Sequence, residues 1–343
     1  MNVVFACDNN YVPLLTISAV SFLVNNQNDF DEINIFILDD GISESNKNKV
    51  NYILSEYKCN ISFIKTKKIE ELDFKVLSLE REDIASLTTY ARLFIPSLLP
   101  DDIDKLLYLD CDSIIVDSFK ELWQEDISDY YCAAVQDCSN TSYMEALGIP
   151  RNEKYYNAGV LLINLKKWRE DNVENQFMEF LTDNQQRYYQ HDQGVLNNIF
   201  KNKIKTVSPK YNLQGYFQFL DYNLSRKYAC IEIDYYSREI MDDAKKNPVF
   251  LHFCAADYFR PWKNHNHPYF KEFEYYADLA GFKDVIDYST EFNSKQLLFQ
   301  KFSQNKLGTM LLNLVPASMV RKVINKNVFR ELDEEVNKAK ELK

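Results

Sequence analysis

Two aspartates separated by a single residue, Asp110 and Asp112, are the strongest candidates for chemistry in this sequence. They follow the apolar run Leu106–Leu109, which is short enough for a buried strand, and apolar residues resume at Ile114–Val116. Because the side chains of a strand alternate between its two faces, we expect both carboxylates on one face. Two acids this close repel each other, so the pattern predicts a cation between them, most simply a hard divalent ion.

A histidine at the end of a later strand would complete an O,O,N ligand set with these carboxylates for Mn²⁺ or Mg²⁺. One imidazole among hard oxygen ligands favours Mn²⁺. Such a site also holds a diphosphate, because the metal bridges phosphate oxygens and neutralises a departing one. The run Val249–Phe253 is predicted as a late strand and carries His252, whereas His265 and His267, in a loop rich in Asn and Pro, are expected to be solvated. An isolated pair of aspartates has low specificity, since acids at a strand end are often only solvated.

The elements before this site alternate between strand and helix. Apolar runs predict three strands, at Val3–Ala6, Ile33–Leu38 and Ile61–Ile64. Helices are expected from about residue 14 to 25 and from about 43 to 57, so the order is βαβαβ. This order predicts a mostly parallel sheet that binds ligands beyond the carboxyl ends of its strands, where Asp8 and Asn10 lie. No G-x-G-x-x-G follows the first strand and the chain has no Walker A lysine, which argues against dinucleotide and P-loop sites.

Two further elements are expected along the chain. Residues 86–94 are predicted as a helix on whose face Arg92 could reach the two aspartates. Tyr131–Val135 is predicted as a strand that ends at Gln136 and Asp137.

Bulk composition excludes several classes of protein. The 343 residues are 46% hydrophobic, and the net charge of −11 argues against binding to nucleic acid through electrostatics. The seven cysteines form no C-x-x-C pair, which predicts free thiols in a reducing cytosol. The apolar start stops at Asp8 without a basic flank, and no run of 18 apolar residues exists. A signal peptide and a membrane span are therefore not expected, and we predict a cytoplasmic protein.

The C-terminal part of the chain differs in charge from the rest. Between Phe292 and Arg330 there is no acidic residue, whereas seven residues are basic. The basic residues are Lys295, Lys301, Lys306, Arg321, Lys322, Lys326 and Arg330. Apolar residues recur there with helical spacing until Pro316 interrupts them. A basic amphipathic segment on an acidic protein indicates docking to an anionic membrane surface; the alternative is a helix packed on the body with a solvated basic face.

Several motifs, taken together and in order, resemble those of glycosyltransferase family 8. These retaining enzymes include bacterial lipopolysaccharide galactosyl- and glucosyltransferases and glycogenin. The matching pieces cover roughly residues 1–280. They are residues 4–11 (Val-Phe-Ala-Cys-Asp-Asn-Asn-Tyr), 88–93 (Thr-Thr-Tyr-Ala-Arg-Leu), 107–112 (Leu-Tyr-Leu-Asp-Cys-Asp), 156–164 (Tyr-Asn-Ala-Gly-Val-Leu-Leu-Ile-Asn), His191-Asp192-Gln193 with Leu196-Asn197, and His252 with Arg260-Pro261-Trp262.

The resemblance implies an α/β protein of the GT-A fold that uses a UDP-sugar and Mn²⁺. Its catalytic domain would span residues 1–280, followed by a basic helical extension over 281–343. The implied metal ligands are Asp110, Asp112 and His252. The implied catalytic residues are Gln193, Asp192 and Arg92. The implied donor site comprises Ala6, Asp8, Asn10, Tyr11, Arg92, Asp110, Cys111, Asp112, Asn157, Asp192, His252 and Arg260.

The loop after His252 departs from the family pattern. The family commonly reads His-x-x-Gly-x-x-Lys-Pro-Trp, but here the loop to Trp262 is two residues longer. Ala255 replaces the glycine and Arg260 replaces the lysine. A lysine acts as a point charge and an arginine as a planar fork, so the contacts with a diphosphate must differ.

The function expected from the resemblance is retaining transfer of a hexose from a UDP-sugar to a hydroxyl of a glycan or glycoconjugate acceptor. Galactose is favoured over glucose. Attack from the same face as departure is favoured, because Gln193 carries an amide, which is a poor nucleophile. Two alternatives stay open at this point. One is a phosphohydrolase like the haloacid dehalogenases, with Asp110 as nucleophile and Asp112 as acid and base; the other is a non-catalytic UDP-sugar-binding protein.

Overall fold

The computed structural model describes residues 1–66, 87–138, 144–145, 148–150, 152–183, 191–229, 231–232, 234–254, 257–316 and 319. Several features singled out in the sequence lie outside the described residues. They are Ala255 in the loop after His252, Cys230, and the basic residues Arg321, Lys322, Lys326 and Arg330. The other six cysteines have free thiols, as predicted.

The described residues contain ten strands in two sheets. They are β1 (Asn2–Asp8), β2 (Asn34–Asp40), β3 (Asn60–Lys65), β4 (Lys105–Leu109), β5 (Ser113–Ile115), β6 (Cys132–Gln136), β7 (Tyr156–Asn164), β8 (Ile204–Thr206), β9 (Leu213–Gln214) and β10 (Phe250–His252). Seven form the main sheet in the order β3-β2-β1-β4-β7-β6-β8, and β5-β10-β9 form a small sheet. Within the main sheet β7 alone runs against its neighbours. The mostly parallel α/β sheet expected from the sequence is therefore confirmed.

Helices cover both faces of the main sheet. They are α1 (Val12–Asn26), α2 (Glu44–Leu54), α3 (Ile95–Leu98), α4 (Lys120–Trp123), α5 (Leu165–Glu170), α6 (Val173–Asp183), α7 (His191–Phe200), α8 (Gly215–Phe219), α9 (Tyr222–Ala229), α10 (Arg238–Lys246), α11 (Phe270–Leu279), α12 (Ser294–Ser303) and α13 (Lys306–Leu314). Short 3₁₀ helices occur at Leu87–Phe94, Pro209–Tyr211, Asp257–Phe259 and Lys283–Val285. The predicted βαβαβ unit corresponds to β1, α1, β2, α2 and β3, with all three strands parallel.

The alternation of side chains along β1 divides the core into two layers. Val3 and Phe5 pack into the layer that contains α1, whereas Val4 packs into the layer on the opposite face, around Trp168 and Phe200. Both faces of the strand are fully buried, which is why β1 reads as an unbroken apolar run. Helix α1 is buried nearly all round because it lies between the main sheet and β5. Packing on both faces of β1 holds its carboxyl end in place.

Three expectations from the sequence are wrong in detail. The helix expected at residues 86–94 is a 3₁₀ helix over Leu87–Phe94. It is followed at Ile95 by α3, whose second residue, Pro96, favours the start of a helix. The apolar run at residues 114–116 does not continue β4 but forms β5 in the small sheet. His267 is 4% exposed rather than solvated, because the rings of Phe219 and Phe253 pack against it.

The C-terminal helices α12 and α13 pack against the body. Phe299 and Leu312 join a cluster with Tyr228 of α9, and the Lys227 ammonium donates to the Asn313 carbonyl at 2.7 Å. Asn293 caps α12 in a reciprocal capping box with Gln296. Among the described residues, no helix has both the length and the apolar content needed to cross a membrane.

Candidate active site

The polar residues singled out in the sequence converge where the two sheets meet. Strands β1 and β4 are parallel neighbours, so Asp8 and Asp110 both lie at their carboxyl ends. Strand β7 is antiparallel to β4 and brings its amino end to the same edge, where the Asp110 amide donates to the Gly159 carbonyl at 2.8 Å. One edge of the main sheet therefore gathers residues from three strands that are far apart in sequence.

Asp110 and Asp112 are brought together by a turn, not by alternation along one strand as the sequence suggested. Strand β4 ends at Leu109, and the Ser113 hydroxyl donates to the Asp110 carbonyl at 2.7 Å to close the turn. Strand β5 then pairs antiparallel with β10, which sets His252 opposite Ser113. The Phe253 amide donates to the Asp112 carbonyl at 2.9 Å. The pairing of the small sheet thus carries His252 to the two carboxylates.

Asp110, Asp112 and His252 form a three-ligand cluster whose donor atoms all lie within 4.8 Å of one another. His252 Nε2 is 3.2 Å from Asp112 Oδ1 and 3.7 Å from Asp110 Oδ2. The other oxygen of Asp110, Oδ1, accepts hydrogen bonds from Arg92 at 2.9 Å and from the Tyr108 hydroxyl at 3.2 Å. Two carboxylate oxygens and one imidazole nitrogen suit Mn²⁺ or Mg²⁺, so the residues fit a divalent cation.

Burial and charge act in opposite directions on the ionisable groups of this cluster. Burial disfavours the imidazolium form of His252, but the nearby Cys254 and Asp112 side chains outweigh it and raise its pKa well above the usual range. Burial would likewise raise the pKa of Asp112, but the His252 and Arg260 charges outweigh it and lower the pKa. The imidazolium and the carboxylate therefore stabilise each other, and a cation that binds here would replace the proton on His252 Nε2.

Arg92 joins the cluster to the helix that carries Asp192. Its buried guanidinium donates to Asp110 Oδ1 at 2.9 Å and to the Ala158 carbonyl at 2.7 Å, and lies 4.3 Å from the centre of the Tyr108 ring. Arg92 Nε donates to the Thr89 carbonyl and lies 2.9 Å from Asp192 Oδ2, so the contact with Asp192 is an ion pair. Arg92 therefore orients both carboxylates.

Among the acids of this site, Asp192 shows the clearest effect of burial on its charge. Burial raises its pKa to about 6, although the adjacent Arg92 acts in the opposite direction. Asp192 lies in the first turn of α7, directly before Gln193. A carboxyl group with this pKa changes its charge state close to neutral pH, which is unusual for an aspartate.

A cavity of about 340 Å³ opens beside the carboxylates. Seven of the predicted site residues line it, namely Ala6, Asp8, Tyr11, Arg92, Asp110, Cys111 and Asp112, together with Cys7, Thr88, Thr89 and Tyr108. Asp8 Oδ1 accepts the backbone amides of Asn10 and Tyr11 at 2.8 and 2.9 Å, which orders the turn after β1. The Tyr11 ring is 41% exposed on the cavity wall, and Asn10 is exposed outside the lining.

Arg260 is tied to its own loop. Its Nη1 lies 3.2 Å from Asp257 Oδ1, one turn of 3₁₀ helix earlier, and its guanidinium lies 5.9 Å from the centre of the Trp262 ring. Arg260 Nε is buried and lacks a hydrogen-bond partner within the described part of the chain. Its charge nevertheless lowers the pKa of Asp112, so the loop lies close to the Asp110–Asp112–His252 cluster.

Asn157 and Gln193 lie outside the cavity lining, and hydrogen bonds to Asp137 connect them. Both side-chain amides donate to Asp137 Oδ2, at 2.8 and 3.2 Å, and the Ala158 amide donates to Gln193 Oε1 at 3.0 Å. Asn212 donates to Asn157 and contacts His252. The sequence interpretation did not include Asp137 or Asn212 in the site. Asp137 had a weak signal as the residue after a predicted strand, and Asn212 had none.

Comparison with known proteins identifies the family of this chain. The family model described as Glycosyl transferase family 8 matches residues 2–266. A glycosyltransferase of Haemophilus influenzae is 35% identical over 216 residues, which cover 62% of this chain and 63% of that protein. The lipopolysaccharide 1,2-glucosyltransferase of Escherichia coli is 28% identical, over 77% of this chain and 79% of that protein.

A solved structure extends the similarity to three dimensions. The galactosyltransferase LgtC, in complex with donor and acceptor sugar analogues, is 32% identical with a TM-score of 0.66. The match covers 82% of this chain and 95% of LgtC. The chain therefore belongs to glycosyl transferase family 8, and its α/β body has the GT-A fold.

Proposed function

We propose that the protein transfers a hexose from a UDP-sugar to a hydroxyl of a glycan or glycoconjugate acceptor, with retention of configuration and with Mn²⁺ as the metal; Mg²⁺ is the alternative ion. The observation that supports this most directly is the Asp110–Asp112–His252 cluster beside a cavity lined by Asp8 and Tyr11. A cation site next to a cavity of this kind suits a nucleotide joined to a sugar through a diphosphate. Membership of a glycosyltransferase family favours this activity over phosphomonoester hydrolysis.

The donor would lie with its nucleotide against the turn after β1. The exposed Tyr11 ring offers a face on which a base can stack, and Asp8 and Asn10 offer polar groups to uracil and ribose. Ala6 and Cys111 form part of the cavity wall beside them. When bound, the metal neutralises charge on the departing diphosphate. Arg260 adds a positive charge close to Asp112. By the family resemblance, Asn157 and Asp192 would lie around the transferred sugar.

The chemistry that we propose is attack on the same face of the sugar from which UDP departs. The bond from the anomeric carbon to the UDP oxygen breaks, the bond to the acceptor oxygen forms, and a phosphate oxygen of UDP accepts the proton of the acceptor hydroxyl. A double displacement would need a nucleophile below the sugar, which in this family would be Gln193. Its carbonyl already accepts the Ala158 amide, and an amide is a weak nucleophile.

Galactose is our proposed hexose, ahead of glucose, and bacterial surface polysaccharide, lipopolysaccharide and glycoprotein glycans are the proposed acceptors. The support for galactose is that LgtC is named a galactosyltransferase. The Escherichia coli relative is named a lipopolysaccharide glucosyltransferase, which supports lipopolysaccharide as an acceptor and makes glucose the second candidate. The two sugars differ only in the orientation of one hydroxyl, so a few side chains such as Asp192 would discriminate between them.

The test is a panel of UDP-sugars scored for Mn²⁺-dependent turnover, with and without acceptor glycans. We expect one UDP-hexose to be hydrolysed and transferred, and the anomeric configuration of the product, read by NMR, to be retained. Asp112→Asn removes one ligand charge and should lower turnover at least 100-fold at limiting Mn²⁺, which corresponds to about 3 kcal/mol. UDP binding without turnover would instead support a non-catalytic binding protein, and an inverted product would contradict same-face attack.

We also propose that the protein is cytoplasmic and docks peripherally to the inner face of a membrane through the extension that begins at residue 281. Helix α13 exposes Leu307, Met310 and Leu314, and an apolar groove of about 330 Å³ lies between α12 and α13. No acidic residue occurs between Phe292 and Arg330, so this apolar surface lies in a basic segment.

Vesicle sedimentation tests the docking proposal. The protein should bind vesicles that contain phosphatidylglycerol, bind neutral vesicles less, and be released at high salt because surface charges are screened. The double variant Leu307→Asp/Met310→Asp should abolish binding. The matched control is Tyr52→Asp, which alters an equally exposed side chain elsewhere. Equal binding of the double variant and the control would refute the docking surface.

A further inference from the structure

Asp287 connects the segment that follows α11 with the loop that carries Arg260. Its backbone amide donates to the Trp262 carbonyl at 2.7 Å, and its Oδ2 accepts the Lys263 ammonium at 2.7 Å. The Lys263 amide in turn donates to the Arg260 carbonyl at 3.0 Å. The main chain and the side chain of one residue therefore hold the loop directly after Arg260.

The carboxylate of Asp287 is itself held in place by its own turn. Its Oδ1 accepts the Ser289 amide at 2.9 Å and the Ser289 hydroxyl, and its Oδ2 accepts the Thr290 hydroxyl at 3.0 Å. The hydrogen bond from Lys263 and those from the turn lower the pKa of Asp287. Asp287 is therefore an ionised and oriented acceptor for Lys263 at neutral pH.

Two contacts from the residues around α12 hold the loop on either side of Arg260. The ring of Phe292 packs edge-on against the buried Tyr258, with 5.6 Å between the ring centres. The Gln300 side chain donates to the Asn266 carbonyl. The start of the C-terminal extension thus contacts this loop before and after Arg260.

The Arg260 guanidinium lies close to the proposed donor site. Burial raises the pKa of Tyr11, Asp112 raises it further, and the Arg260 charge acts against both. Tyr11 and Asp112 line the cavity, so Arg260 lies near its wall. Arg260 Nε is buried, and no hydrogen-bond partner for it occurs among the residues that the structure describes. A phosphate oxygen is the kind of acceptor that would satisfy such a donor.

We propose that Asp287 is a positioning residue for the donor site, because it holds the loop in which Arg260 meets the diphosphate of the UDP-sugar. The identity of the ligand rests on the proposed function, whereas the contact between Asp287 and the loop does not. The family model matches residues 2–266, so Asp287 lies outside the matched part of the chain. The C-terminal extension thus takes part in the active site of the family domain.

Hydrogen exchange read by mass spectrometry tests this contact without metal or UDP. Asp287→Ala removes the side-chain acceptor, and Lys263→Met removes the ion pair alone. We expect amides of residues 257–267 to exchange faster in both variants, and those of β1 to exchange as in the wild type because the domain stays folded. Unchanged exchange of residues 257–267 in both variants would overturn the proposal.

The matched control is Asp126→Ala. Asp126 Oδ1 accepts the Ser128 amide at 3.0 Å, which is the same contact with the second residue along the chain that Asp287 makes. Asp126 lies beside the amino end of β4, whereas the proposed donor site lies at the carboxyl end. Exchange of residues 257–267 and UDP affinity should therefore equal those of the wild type in this control.

Isothermal titration with UDP in the presence of Mn²⁺ tests whether the contact serves Arg260. If Asp287→Ala leaves the loop in its binding position in about one fifth of the molecules, UDP should bind about fivefold more weakly. In an Arg260→Ala background the same substitution should cost nothing further, because a residue that acts only through Arg260 has no effect once Arg260 is gone.

Three outcomes of the titration would count against the proposal or its basis. Equal loss of affinity in both backgrounds, or no loss in either, would overturn the positioning role. Arg260→Ala with the UDP affinity of the wild type would refute the contact of Arg260 with the diphosphate, and the positioning role with it. Wild-type protein that binds no UDP would refute the proposed function, while hydrogen exchange would still decide whether Asp287 holds the loop.

Discussion

Gly159 sets the distance between β7 and the imidazole of His252. A Cβ atom at this position would lie 2.8 Å from His252 Nδ1 and still closer to Cε1, and 2.9 Å from Asn157 Oδ1. Real carbon atoms do not approach a ring this closely, so only glycine fits here. The glycine in the Asn-Ala-Gly motif is thus explained by a side chain 93 residues further along the chain.

Gly159→Ala should displace His252 and weaken the metal site. We expect overpacking to lower the free energy of unfolding by about 1–3 kcal/mol and Mn²⁺ affinity to fall more than 10-fold, as when a ligand loses its orientation. Thermal unfolding and Mn²⁺ binding measure the two effects. In the double variant Gly159→Ala/His252→Ala the two contacts with the imidazole are gone and only the contact with Asn157 Oδ1 is left, so the stability cost of Gly159→Ala should be clearly smaller. Equal cost with and without the imidazole would contradict this account.

The 3₁₀ helix at Leu87–Phe94 is the element whose winding matters most for the site. With three residues per turn, residues i and i+3 eclipse each other, which brings Arg92 over the carbonyl of Thr89. An α-helix would rotate Arg92 away from that carbonyl. The same element anchors to the sheet edge through the Thr88 hydroxyl, which donates to Asp40 Oδ2. Local pattern predicted a helix here, but the tertiary contacts of Arg92 favour the tighter form.

In the loop after His252, Asp257 pairs with Arg260 and would compete with a bound diphosphate for this arginine. Asp257 Oδ1 lies 3.2 Å from Arg260 Nη1, and both side chains are partly exposed. An exposed ion pair contributes less than about 1 kcal/mol, so releasing Arg260 should strengthen UDP binding by up to about fivefold. Asp257→Asn also removes a negative charge close to the proposed diphosphate position, which acts in the same direction.

Calorimetric titration with UDP in the presence of Mn²⁺ measures this effect. The matched control is Glu44→Gln, which breaks another pair with the same three-residue spacing, between Glu44 and Lys47, and changes the net charge equally. Tighter UDP binding in Asp257→Asn alone supports a role for Arg260 at the diphosphate. Unchanged binding in both variants would show that Arg260 does not reach the donor.

At the scale of the whole molecule, the sequence predicts what is local or periodic and misses what depends on strand pairing. The first three strands and two helices follow from apolar runs, because each face of β1 is buried in one core layer. The sequence identifies Asp110 and Asp112 because two acids separated by one residue stand out after an apolar run. It does not identify Asn212, because an asparagine before the two-residue strand β9 has no pattern of its own. Its partner His252 is 40 residues away and is brought to it by the pairing of β9 with β10.

His267 links the stability of the whole molecule to pH. Burial lowers its pKa to about 3, and the ring packs against Phe219 and Phe253 where the loop meets the body. In the unfolded chain a histidine titrates near pH 6.5, so below that pH the unfolded state binds a proton that the native state excludes. The penalty is absent above pH 6.5, grows as the pH falls, and reaches about 2 kcal/mol at pH 5.

His267→Asn removes the titrating group and keeps an acceptor for the Tyr269 amide, which donates to His267 Nδ1 at 3.1 Å. Urea unfolding at pH 7.5 and pH 5 measures the effect. Between these values the wild type should lose about 2 kcal/mol more of its unfolding free energy than the variant. His265→Asn, which changes an exposed histidine two residues away, is the matched control and should follow the wild type. If His267→Asn and wild type lose equal stability on acidification, the buried ring must accept a proton in the native state, and the packing against Phe219 and Phe253 would not explain the acid sensitivity.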